Sequence, residues 1–137
     1  GFLLTKFGFR TVITTGALAY FVRYLIWSFP TLPVPVLVTS QALHGVCYAC
    51  FFASAYIYTD RVAPPDVRHS AQTVFGILIL GGGPVLGGML SGWLQARYTL
   101  LDGSVDFGAL WRVLALLGLG SALVFVTLFR DRQRITP

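Results

Sequence analysis

The sequence contains few charged residues and no glutamate at all. Its 137 residues include five acidic side chains, all of them aspartate, and charged residues make up only 11% of the chain. Soluble domains carry about 25% charged residues, so this composition excludes an ordinary soluble domain. Hydrophobic residues account for 55% of the chain, and its 15 glycines are typical of membrane helices. We therefore expect an all-α membrane protein.

The sequence also lacks the patterns of an enzyme or of a cofactor-binding protein. Its two cysteines, Cys47 and Cys50, lie inside an apolar run, where thiolates are disfavoured, and no second ligand pair accompanies them. The glycines at residues 81–83 lack the Lys-Ser/Thr pair of a phosphate-binding loop. We expect the cysteines to be packing residues, and we predict no enzymatic activity, no metal site and no cofactor.

Four apolar runs are long enough to cross a bilayer, which takes about 20 helical residues. They cover residues 11–29, 34–58, 70–94 and 108–129, after a short basic hinge at residues 1–10. Most basic residues flanking these runs fall on one side of the predicted membrane: Lys6, Arg10, Arg61, Arg68, Arg130, Arg132 and Arg134. The positive-inside rule then places both ends of the chain in the cytoplasm. The net charge of +5 therefore reflects topology, and we predict a lipid bilayer but no nucleic acid as partner.

The second apolar run carries a polar and aromatic stripe. At about 100° per residue, one helix face contains Gln41, His44, Tyr48, Phe51 and Phe52. Polar groups in hydrocarbon need a partner or a wet cavity, so this face should point into a helical bundle. There the stripe either holds helices together or lines the path of a solute. Because no aspartate lies inside a predicted span, proton coupling would depend on other helices or on the imidazole, unless coupling is absent.

Two further features each allow two interpretations. Arg23 is a full charge well inside a predicted span, and it either snorkels to the membrane surface or contacts a buried partner or the solute. Pro84 follows Gly83 in the third run and should kink that helix, either as a hinge for gating or as a fixed bend. The small-residue pairs Gly83/Gly87 and Gly88/Gly92 predict close helix packing.

Four segments together form a recognisable pattern. They are Lys6-Phe7-Gly8-Phe9-Arg10, the stretch from Leu43 to Asp60, the stretch from Arg68 to Gln72 and the stretch from Leu86 to Trp93. In this combination the chain resembles the nucleoside–proton symporter branch of the major facilitator superfamily. The resemblance implies helices nine to twelve of a twelve-helix carrier in a bacterial inner membrane, with the upstream helices missing from this chain.

The resemblance further implies a binding role for two residues four positions apart on helix ten, where the family has an aromatic pair that contacts the nucleoside. Those positions correspond to His44 and Tyr48, with histidine in place of the usual tyrosine. The family's acidic and amide site residues lie on upstream helices, outside this chain. The resemblance also implies that a nucleoside and a proton are the transported species. Two alternatives stay open: a carrier of the same superfamily for a sugar or drug-like solute, and a four-helix membrane scaffold subunit.

Overall fold

The computed structural model describes residues 2–129, so Arg130, Arg132 and Arg134 of the topology prediction lie outside the described residues. The described chain is helical throughout, apart from short connections and one isolated β-bridge between Thr99 and Val105. The helices are α1 (Phe2–Trp27), α2 (Val34–Ser40), α3 (Ala42–Cys47), α4 (Ser54–Val62), α5 (Arg68–Gly76), α6 (Gly83–Arg97) and α7 (Phe107–Leu128). Two π-helical turns, Tyr48–Ala53 and Ile77–Gly82, join α3 to α4 and α5 to α6.

These elements form four long helical segments, which confirms the predicted all-α membrane fold. Three of the segments in the described chain are long and apolar enough to cross a membrane: Val34–Val62, Arg68–Arg97 and Phe107–Leu128. The fourth is α1, which corresponds to the first predicted span. Its helix already ends at Trp27, two residues before the predicted end of that span. The bounds of the membrane-embedded parts remain a prediction.

Gly8 interrupts α1 within the predicted basic hinge. Its backbone angles, φ 77° and ψ 165°, are not helical, and the positive φ is one that glycine adopts at little steric cost. Immediately after the break, Phe9 and Ile13 are almost fully buried. They form the core with Leu4, Val12 and Cys50, so residues on both sides of this glycine belong to the core.

The close contacts that hold the bundle together are centred on α1. A Cβ atom at Gly16 would lie 2.6 Å from the backbone nitrogen of Phe51, which shows how closely α1 approaches the first π-helical turn. Gly118 of α7 has a similar role, because its Cβ would lie 3.0 Å from the nitrogen of Phe21. Glycine thus allows two backbones to pack against α1 at distances that a side chain would prevent.

The small-residue pairs of the third long segment have no such neighbours within the described chain. Nothing lies within 4 Å of a Cβ placed at Gly87, Gly88 or Gly92. The nearest atom to a Cβ at Gly83 is the carbonyl oxygen of Leu78 in its own segment, at 3.9 Å. Close packing at these small-residue pairs therefore stays a prediction about segments that are not part of this chain.

Pro84 lies directly after the second π-helical turn, at the start of α6. Proline has no backbone N–H, and π-helical turns are a recognised cause of helix distortion. The backbone accommodates Pro84 by widening the preceding turn over Ile77–Gly82, and residues Gly82 and Gly83 keep right-handed helical angles. The predicted distortion is therefore located, while the choice between a hinge and a fixed bend remains open.

Both cysteines are buried free thiols within the described chain. Cys47 is 0% exposed and Cys50 is 7% exposed, and no disulfide joins them. Cys50 belongs to the core that also contains Phe9 and Ile13. These positions fit the packing role predicted from the sequence.

The connection before α7 is organised by two aspartates. Asp106 caps α7, since its Oδ1 accepts a hydrogen bond from the backbone nitrogen of Ala109 at 2.9 Å. Asp102 accepts hydrogen bonds from the hydroxyl of Ser104 at 2.7 Å and from its backbone nitrogen at 2.9 Å. These donors, the hydroxyl first, lower the pKa of the Asp102 carboxyl below its ordinary value of 3.8.

We expect Gly16→Ala to destabilise the bundle by about 1–3 kcal/mol, because the added methyl group would overlap the backbone at Phe51. The measurement is the thermal unfolding midpoint of the purified complete protein in detergent. Gly120→Ala is the matched control, since nothing lies within 4 Å of its Cβ and alanine favours the helix. Equal midpoints for Gly16→Ala and the unmodified protein would contradict the close contact.

Ser104→Ala should raise the pKa of the Asp102 carboxyl back toward 3.8, because it removes the stronger of the two donors. Since the folded-state pKa is lowered, the stabilising contact is complete above pH 3.8 and is lost as the pH falls through the lowered value. The carboxyl carbon chemical shift, followed by NMR against pH, measures this. Ser91→Ala, on α6, serves as the control. The same midpoint with and without the Ser104 hydroxyl would show that the hydroxyl is not responsible.

Candidate functional site

The predicted stripe is partly assembled on one exposed face. Gln41, His44 and Tyr48 are all exposed within the described chain, and Tyr48 is 64% exposed. The ring of Phe52 lies beside that of Tyr48, with 5.9 Å between centroids and a tilt of 36°. This second segment therefore presents an amide, an imidazole and a phenol together with an adjoining aromatic ring.

Phe51 is directed differently from the rest of the stripe. Its ring packs edge to face against Phe125 of α7 at 5.6 Å, and its backbone lies at the close contact with Gly16. The cause is the π-helical turn Tyr48–Ala53, whose wider hydrogen-bonding pattern breaks the 100° spacing assumed for the whole segment. Phe51 is thus half-buried between helices, although its ring still touches that of Phe52 at 5.5 Å.

Arg23 of α1 lies next to His44. Its Nη1 atom is 3.1 Å from Nδ1 of the imidazole, so the charged residue of the first segment has a side-chain partner on the second. The guanidinium carbon also lies 5.3 Å from the centre of the Tyr24 ring and 5.5 Å from that of Trp27. This arrangement favours the partner interpretation of Arg23 over snorkelling to the membrane surface.

An aromatic cluster that the sequence analysis did not identify holds the arginine in place. Trp27 donates a hydrogen bond from Nε1 to the hydroxyl of Ser40 at 2.9 Å, which ties α1 to α2. Trp111 of α7 packs edge to face against Trp27 at 5.0 Å and stacks on Tyr24 at 5.4 Å. The helical spacing of Tyr24 and Trp27 around Arg23 was the available sequence signal, but their partners on α2 and α7 are distant in sequence.

A cleft of about 260 Å³ lies between α1 and α7. Its walls include Tyr20, Tyr24 and Leu114, and Phe51 is the only stripe residue among them. The cleft is therefore distinct from the exposed face that carries His44 and Tyr48. Because most of the lining atoms are apolar, the cleft offers few polar groups with which to orient a ligand.

Polar contacts elsewhere in the described chain link neighbouring helices and do not form a reactive site. Asp60 and Arg68 approach to 3.9 Å across the loop between α4 and α5, but both are well exposed, so the pair contributes little stability. In the same region the Gln72 amide donates to the carbonyl of Tyr56 at 2.9 Å. Residues 2–129 contain no group of three histidine, cysteine or acidic side chains able to hold a metal ion.

The arrangement and the sequence both match known transporters. The family model described as "Nucleoside H+ symporter" matches residues 1–134. The nucleoside permease NupG of Escherichia coli strain K12 is 27% identical over 140 residues, and the xanthosine permease of the same strain is 28% identical over 127 residues. These alignments cover 99% and 90% of this chain, respectively.

The fold matches a solved structure of the same kind of protein. A crystal structure of an aspartate-to-alanine mutant of the nucleoside transporter NupG superimposes with a TM-score of 0.86, at 27% identity and over 94% of this chain. The chain spans about a third of the length of these relatives: 33% of NupG and 30% of the xanthosine permease. These relatives are transporters rather than enzymes. On the family match across residues 1–134, the chain belongs to the nucleoside H+ symporter family of the major facilitator superfamily.

Proposed function

We propose that this chain forms the C-terminal third of a nucleoside–proton symporter and supplies one wall of its solute cavity. The observation that carries the proposal is the family match over residues 1–134 together with the NupG fold match over 94% of the chain. In carriers of this type the solute site lies near the membrane midplane, between two halves that rock around it. The alternative of a separate four-helix scaffold gains no support from these similarities, because the relatives are permeases.

Within that wall, Tyr48 stacks on the base of the nucleoside and His44 forms a hydrogen bond with it. The support is chemical: an exposed phenol ring offers a flat surface to a base, and the neighbouring imidazole offers a polar atom. Phe52 extends the aromatic surface beside Tyr48, and Gln41 is a second polar group on the same segment. Phe51 contributes indirectly, because it holds this segment against α1 and α7.

The proton is carried by groups on other helices of the complete carrier. No aspartate of the described chain lies on the stripe. Asp60 lies near the end of α4, Asp66 lies in the loop before α5, and Asp102 and Asp106 precede α7. Secondary carriers that move protons use an intramembrane carboxylate or histidine for this purpose.

The carrier resides in a bacterial inner membrane, with both ends of this chain in the cytoplasm. The basic residues of the described chain support this orientation, since Lys6, Arg10, Arg61 and Arg68 all flank the same ends of the helical segments. In the same topology, the loop with Asp102 and the aromatic contact of Trp27 with Trp111 lie at the outer surface.

In the complete carrier, Tyr48→Ala is expected to abolish uridine uptake without reducing insertion into the membrane. Stacking on an aromatic ring contributes about 1–3 kcal/mol per base, and each 1.4 kcal/mol is about tenfold in affinity. The assay is uptake of radiolabelled uridine by cells that lack their own nucleoside carriers, with membrane insertion quantified in parallel by immunoblot.

Tyr98→Ala provides the matched control, because Tyr98 follows α6 in the outer loop and its structural role there is a backbone hydrogen bond from Asp106. Uptake by Tyr98→Ala should equal that of the unmodified carrier. Unchanged uridine uptake in Tyr48→Ala would reject the stacking role. Uptake of a labelled sugar or drug-like solute, with no uptake of uridine, would instead assign the carrier to another solute.

A further inference from the structure

Arg23 contacts His44, and this contact determines whether the imidazole donates or accepts a hydrogen bond toward a solute. Nη1 of the guanidinium lies 3.1 Å from Nδ1 of the ring. A guanidinium has only N–H donors and stays protonated in proteins, so it cannot accept a hydrogen bond. Nδ1 must therefore be the acceptor, which requires that it carry no proton. The imidazole then holds its single proton on Nε2.

The guanidinium is held in this position independently of the histidine. The rings of Tyr24 and Trp27 lie 5.3 Å and 5.5 Å from its central carbon, within the range of cation–π attraction. Trp27 is itself fixed by its hydrogen bond to Ser40 and by its contact with Trp111. The donor that faces Nδ1 is thus part of a rigid cluster that spans α1, α2 and α7.

The other nitrogen of the imidazole has a different direction from Nδ1, because the two nitrogens lie on different edges of the ring. The contact with Arg23 involves Nδ1, so Nε2 is directed elsewhere, and the His44 side chain is exposed. Gln41 and Tyr48, on the same segment, are exposed as well. Without a fixed partner, a neutral histidine can present either a donor or an acceptor.

We infer that Arg23 is a positioning residue that locks His44 as the Nε2–H tautomer, so that the solute meets a hydrogen-bond donor at this position. The part of this inference that concerns the solute rests on the proposed function. It predicts that the bound nucleoside turns a hydrogen-bond acceptor, such as a carbonyl oxygen or an unprotonated ring nitrogen of its base, toward His44. A tyrosine at this position could both donate and accept, so the arginine gives the histidine a narrower role.

The tautomer is tested first, by ¹⁵N NMR of the complete carrier in lipid nanodiscs with labelled histidine. The His44 signals are identified as those missing from His44→Phe. In the unmodified protein they should show an unprotonated Nδ1 and a protonated Nε2. Arg23→Met should add a second population with the proton on Nδ1, and Arg97→Met, which removes an exposed arginine at the end of α6, should change nothing.

A protonated Nδ1 in the unmodified carrier would overturn the inference, even if Arg23→Met failed to fold. Identical His44 signals in Arg23→Met and in the unmodified carrier would overturn it as well. Arg23→Lys keeps a cationic donor, and it is expected to restore most of the Nε2–H population.

Uptake kinetics then test whether the tautomer of His44 affects binding of the solute. Arg23→Met should raise the KM for uridine about tenfold with a smaller change in the maximal rate, because an unprotonated Nε2 of His44 would then face an acceptor of the base. In a His44→Phe background the same substitution should cause no further increase. An equal increase in both backgrounds would show that Arg23 acts without the histidine and would overturn the inference.

The two proposals fail in different ways. If the unmodified carrier shows the Nε2–H signals but moves no nucleoside, the proposed function is wrong while the effect of Arg23 on the histidine stands. If the carrier moves uridine but its His44 signals do not depend on Arg23, the proposed function stands and the positioning role is wrong.

Discussion

The structure depends on the close approach of α1 to the first π-helical turn, at Gly16 and Phe51. A hydrogen atom in place of a side chain lets the two backbones come within a distance that a Cβ would forbid. The second close contact, at Gly118 and Phe21, brings α7 to the other side of α1. In a membrane there is little hydrophobic gain from helix association, so such close packing has to supply much of the attraction between helices. α1 thereby joins the second segment to α7.

The position of the polar groups follows from this packing. Because α1 is held against the second segment, Arg23 comes within hydrogen-bond distance of His44, and α7 supplies Trp111 to support the rings around the guanidinium. The π-helical turn directs Phe51 toward α7, while Tyr48 remains on the exposed face. The same local widening of the helix therefore both secures the segment and leaves its polar face open, which agrees with the frequent occurrence of π-helical turns at functional sites.

Much of the architecture could be predicted from the sequence because hydrophobic length and helical period are local properties. The four segments, the buried free cysteines and a helix distortion near Pro84 were all anticipated and found. The sites of close helix contact were not. The glycine pairs of the third segment attracted attention because they are regularly spaced, yet Gly16 and Gly118 make the close contacts observed in the described chain. Which glycine meets another backbone depends on how the helices cross, and spacing within one helix does not encode this.

By itself, the sequence determined that the chain crosses a membrane as helices and which segment holds an amide, an imidazole and a phenol. These follow from transfer free energies and from the geometry of a single helix. Only the tertiary structure decided that Arg23 faces His44, that Tyr24 and Trp27 hold the guanidinium, and that Phe51 leaves the stripe. Each of these involves residues brought together from different helices, or a change in helical pitch, and a hydrophobicity pattern contains neither.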